Sequence, residues 1–107
     1  MATTVILDTD IGTDIDDTWA LGMLMKCPEL DLKAVISAHA DTTYRATLIA
    51  KLLDEWSRTD VDIGVGVSGG DLSVRPQADY LGTYKLDDYP GTVKSDGVAL
   101  HRARIII

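Results

Sequence analysis

Short apolar, β-branched runs alternate along this chain with stretches of helical periodicity, and that alternation limits the folds open to it. Residues 4–7 and 32–37 are apolar runs too short for helices and are predicted strands. Val61, Ile63, Val65 and Val67 alternate with other residues and predict a third strand over 63–67. Ala20, Leu21, Leu24 and Met25 give a predicted helix over 17–26 its apolar face, with Asp14 or Asp16 available as a cap and Pro28 as the stop. Ala46, Ile49, Ala50, Leu53 and Trp56 do the same for a helix over 43–57, and Arg45, Asp54, Glu55 and Arg58 are assigned to its solvent side. The order strand, helix, strand, helix, strand predicts an α/β fold. Its sheet is expected to be mostly parallel, flanked by helices and joined by right-handed crossovers.

Beyond Gly70 the pattern weakens. Residues 71–97 hold two prolines and three tyrosines. They predict a long excursion with a short helix near 79–84, and a loop of that length is often functional. Residues 98–107 end on three isoleucines and read as a strand cut off from its continuation. An unpaired apolar edge there suggests a homo-oligomer. The net charge is −7, from 10 Lys and Arg against 17 Asp and Glu. That balance argues against nucleic acid or an anionic membrane as partner and suits a cation. Cys27 is the only cysteine, so an intrachain disulfide is excluded. A reducing compartment follows, and with no signal-peptide pattern the expected location is cytoplasmic.

The chemistry concentrates at the end of the first predicted strand. The stretch DTDIGTDIDD carries Asp8, Asp10, Asp14, Asp16 and Asp17, five carboxylates in ten residues. So many like charges repel unless they are solvated or share a cation. Asp8 and Asp10 stand two apart at a strand end and can point to one face. Asp16 and Asp17 open the helix opposite, and Gly12 lets the loop turn between them. Oxygen ligands favour a hard cation, Ca²⁺ or Mg²⁺. His39 and Asp41 follow the second strand. In a parallel sheet both loops open on the carboxyl edge, where ligands bind.

The segment VILDTDIGTDIDDTWAL resembles the N-terminal signature of the inosine/uridine-preferring nucleoside hydrolases, with two extra residues between Gly12 and the aspartate pair. The resemblance covers most of residues 4–70 and makes residues 1–107 the N-terminal part of such a domain. It implies Ca²⁺ as cofactor and a ribonucleoside as substrate. Asp10 matches the general base that also contacts the metal, and Asp17 matches a metal ligand. Asp16 matches a residue near the metal and ribose, and Asp8 a motif residue that supports the site. Asp14 and His39 join as supporting residues. Asp41 falls where many members have an asparagine that contacts the sugar, so a donor and acceptor is replaced by an acceptor alone. Neither His39 nor His101 matches the family's leaving-group acid, which lies further along. The chain alone is therefore expected to hydrolyse little.

That reaction suits the residues. Breaking a ribosyl C–N bond builds positive charge on the sugar. A metal lowers the pKa of water, and a carboxylate takes its proton. Two other readings compete. A non-catalytic metal-binding fragment needs only the aspartates. DTDIGT also approaches the signature of haloacid-dehalogenase-type phosphatases, with Asp8 as nucleophile, Asp10 as acid/base and Mg²⁺ nearby. There the threonine is displaced by one position and the Asp16–Asp17 pair follows too soon. Gly64, Gly66 and Gly69 spell a dinucleotide fingerprint, but two of them lie in a predicted strand with no clear helix behind.

Overall fold

The computed structural model describes residues 3–70 and 75–97. Four strands form one sheet: β1 (Thr3–Thr9), β2 (Leu30–Ser37), β3 (Asp62–Val65) and β4 (Val93–Lys94). Every pairing is parallel and the spatial order is β1-β2-β3-β4. The crossovers are α1 (Asp16–Lys26), α2 (Thr42–Glu55) and a segment with the short α3 (Ala78–Leu81) and a 3-10 turn over Leu86–Asp88. This is the α/β architecture expected from the alternation. The isoleucine run read as a truncated strand lies outside the described residues.

A sheet that advances one way through right-handed crossovers places successive helices on one face. The packing agrees. Leu21 of α1 and Ile49, Ala50 and Leu53 of α2 share one buried cluster with Leu32, Val35 and Ile63 of the sheet. Ile6, Ala34 and Ile36 form a separate buried group. They sit apart because Lys33 bulges out of β2. The β1–β2 register passes from Val5↔Leu32 to Ile6↔Ala34, so Leu32 and Val35 face the helices although three residues apart.

Several expectations need correction. Ile15, not Asp14 or Asp16, precedes α1, and no side chain caps that helix. Ala20, assigned to the apolar face, is exposed. Together with Ile15 and Met23, Trp19 leaves an apolar strip on the outside of α1. β3 stops at Val65, and Val67 is exposed. The ladder ends where Gly66 presses on β2: a Cβ there would stand 2.1 Å from the Ser37 carbonyl oxygen. That contact accounts for a glycine in the formal fingerprint, and no helix opens between Gly66 and Gly70.

The excursion is anchored by its tyrosines. Tyr84 donates to Asp54 at 3.0 Å, and Tyr80 donates to Glu55. The Lys51 ammonium lies 4.2 Å from the Tyr80 ring centre. Tyr89 donates to the Val61 carbonyl at 2.6 Å, and burial pushes its phenol up to about 12. Apolar rings with a polar tip can cover a surface while satisfying a donor. Tyr80 and Tyr84 hold this segment on α2, and Tyr89 on the turn after it, as the chain returns to form β4. No described helix is long and apolar enough to cross a membrane.

Candidate active site

The strand register sets the site. Thr9 pairs with Ser37, and the Ala38 N–H donates to the Thr9 carbonyl at 2.9 Å. The two loops therefore leave the carboxyl edge side by side. Asp8, Thr9, Asp10, Asp17, Ala38 and His39 line an open cleft of about 570 Å³ there.

Thr9 organises the floor. Its side chain is buried; Oγ1 donates to Asp17 Oδ2 at 3.0 Å and accepts from the Ile11 N–H at 3.1 Å. Ile11 is fully buried and anchors the loop that presents Asp10. Asp17 stands in the first turn of α1, where the helix dipole favours an anion. Its carboxyl is nonetheless held above the usual carboxylate range. The Asp10 side chain beside it is the main cause and burial the next, while the Thr9 hydroxyl pulls the other way.

A stability consequence follows. A carboxyl whose folded pKa exceeds its unfolded value favours folding while protonated, and that contribution fades as pH rises through the folded pKa. From about pH 4, the ordinary carboxylate value, toward neutrality, Asp17 should therefore progressively lower stability. Asp17→Asn, which keeps an acceptor for Thr9, is expected to raise the urea midpoint at pH 7. The gain over wild type should shrink at pH 3. A gain that does not change with pH would remove the raised Asp17 carboxyl as its cause.

The loop is held from beneath by α2. The Tyr44 hydroxyl donates to the Gly12 carbonyl at 2.7 Å and accepts from the Gln77 N–H at 3.0 Å. Gly12 has φ +110°, and a Cβ there would lie 2.8 Å from Tyr44 Cε2. Gly12→Ala is expected to cost about 1–3 kcal/mol through backbone strain and this clash. Urea unfolding measures it, and an unchanged midpoint would mean that the loop gives way freely. Arg45, assigned above to solvent, is 2% exposed. Its guanidinium reaches under both loops, donating to the carbonyls of His39, Asp10 and Ile11 and to the Thr13 hydroxyl. The spacing held a clue: Arg45 stands four residues before Ile49, on the face that α2 buries.

The other aspartates stand elsewhere. Asp14 and Asp16 are exposed and do not line the cleft. Asp41 caps α2, accepting from the Tyr44 N–H at 3.1 Å, and pairs with Arg75 at 2.5 Å. It lines a separate hollow with Arg75, Thr47 and Tyr84. Among the described residues, no three His, Cys, Asp or Glu side chains gather into a metal-holding set. His101 lies outside the described residues.

Fold and cleft together define a parallel α/β protein with an acidic mouth at its carboxyl edge. No family model matches the chain, and no solved structure matches it. Among curated proteins, it is 35% identical over 68 residues to the pyrimidine-specific ribonucleoside hydrolase RihA of Escherichia coli, and RihA from two further strains matches equally well. The match covers 62% of this chain and 21% of each relative, so it takes in about a fifth of their length.

Proposed function

We propose that this chain carries the aspartate side of a calcium-dependent ribonucleoside hydrolase site. The observation that carries the reading is the convergence of Asp10 and Asp17 on one cleft at the carboxyl edge of the sheet. The similarity to RihA, a pyrimidine-specific ribonucleoside hydrolase, supports the choice of reaction.

The donors are all oxygen, which suits Ca²⁺. A neighbouring cation would also favour the charged form of Asp17, whose carboxyl the Asp10 side chain and burial hold above the usual range. Asp10 and Asp17 fit part of a shell of about six to eight oxygens. Bound there, Ca²⁺ would supply a Lewis-acidic centre that holds ribose hydroxyls and lowers the pKa of water.

The remaining steps fall to side chains. Asp10 accepts the proton of the attacking water as it approaches the anomeric carbon. The C–N bond breaks with its electron pair leaving on the base. The acidic mouth stabilises the positive charge that grows on the sugar. Asp8 and His39 line the same cleft, whereas Asp14 and Asp16, exposed outside it, would meet the ribose only from its rim. Asp41 would reach the sugar only by giving up its pair with Arg75.

Titration calorimetry with CaCl₂ tests the metal, and ribose release from uridine, cytidine and inosine tests the reaction. Wild type should bind Ca²⁺ at one site, with Asp10→Asn and Asp17→Ala each weakening it. Little ribose is expected from the chain alone, because two carboxylates leave most of the shell to other donors. Binding unaltered in both variants would remove these residues from the site. Ca²⁺ binding here with no hydrolysis in any longer setting would favour the non-catalytic metal-binding reading.

A further inference from the structure

The Arg45 guanidinium is buried, yet among the described residues no carboxylate lies within ion-pair distance of it. Its partners are neutral. Nε donates to the His39 carbonyl at 2.8 Å. Nη1 donates to the carbonyls of Asp10 at 2.7 Å and Ile11 at 3.1 Å, and to the Thr13 hydroxyl at 2.8 Å. Burying a charge without a counter-charge is unfavourable, and an aliphatic residue would fill this side of α2 without that penalty. The planar fork supplies what an aliphatic residue cannot, namely several donors at fixed angles.

Those donors reach backbone that needs holding. His39 and Ala40 have φ +77° and +54°, and Gly12 has φ +110°. Left-handed backbone at non-glycine residues persists only where its surroundings over-determine it. Arg45 touches both of the loops that contain it.

We propose that Arg45 is the positioning residue of the aspartate cleft. It ties the loop carrying Asp10 to the loop carrying His39 and so fixes where the Asp10 carboxylate stands relative to Asp17. The consequence for calcium rests on the function proposed above; the tie between the loops does not.

Amide hydrogen exchange separates this role from simple packing. The Ile11 N–H is bonded to Thr9 Oγ1 and the Gly69 N–H to the Ala40 carbonyl, so they report on the two loops. Arg45→Lys keeps the charge and loses the fork. It is expected to speed exchange at Ile11 and Gly69 by about tenfold or more while amides within β2 and β3 hold their protection. Where wild type binds Ca²⁺, affinity in Arg45→Lys should fall roughly 10- to 100-fold, the effect of losing a group that orients a ligand. Loss of protection spread evenly over loops and sheet, or no change at the loops, would overturn the proposal. Should Arg45→Lys fail to fold, Thr13→Ala removes a single acceptor and must still speed Ile11 with the sheet unchanged; otherwise the proposal fails. A wild-type chain that does not bind Ca²⁺ counts against the calcium reading alone, and the exchange result then decides the role of Arg45.

Discussion

Asp10→Asn is expected to lower ribonucleoside hydrolysis by about 10²–10⁴-fold, the range associated with loss of a positioned general base, with far less change in nucleoside binding. The measurement can be made in a chimera in which the matched 68-residue segment replaces its counterpart in RihA. The chimera supplies the four-fifths of the relative that lies outside the match. An amide in place of the carboxylate keeps size and polarity and removes the proton acceptor, so turnover should fall with little change in fold. Turnover equal to that of the unmutated chimera would take Asp10 out of the chemistry. It would leave the cleft as a binding feature only.

The second large effect lies in the core. Ile49 is fully buried in the cluster shared by α1, α2 and the sheet, and Ile49→Ala is expected to cost about 2–5 kcal/mol through lost burial and the cavity left behind. Domains of this kind have roughly 5–15 kcal/mol in total, so the variant should show a much lower urea midpoint. Trp19→Ala removes a larger side chain, yet Trp19 is 69% exposed, so the change is expected to stay within about 0.5 kcal/mol. A Trp19 variant as damaged as the Ile49 variant would place the outer strip of α1 against something the fold requires.

That contrast marks what the sequence made legible. Both helices were found from periodicity, because a buried face repeats at 3.6 residues. The parallel direction of the first three strands followed from the strand–helix alternation, and with it the opening of the two loops on one edge; their order in the sheet did not. Charge was the misleading signal on α2. Arg45 occupies a buried phase, and its charge suggested water; the loop carbonyls that satisfy it come from residues 34 and 35 positions earlier, which no local pattern encodes. On α1 the error ran the other way. Ala20 is apolar, but a short helix packed chiefly through Leu21 leaves it outside. Asp41 was assigned by resemblance to a sugar contact; its cap on α2 and its pair with Arg75 were not legible in the sequence. β4 is two residues long and was silent in the sequence, since its pairing depends on how the tyrosine-anchored segment returns. The aspartate stretch was the most legible feature. Its crowding of like charges was visible at once, and the structure adds which pair stands together.

The order of the sheet also bears on how the chain reaches this state. Each strand neighbours the one before it in sequence, and paired residues are roughly thirty positions apart along the chain in all three pairings. Closure entropy grows only with the logarithm of loop length, so the three closures carry nearly equal entropic penalties. No strand has to wait for a distant partner. During synthesis, which delivers the N-terminal side first, β1 and β2 can pair across α1 before β3 has emerged. The acidic loops would then already lie side by side, and α2 would bring Arg45 under them as the next piece of chain to arrive.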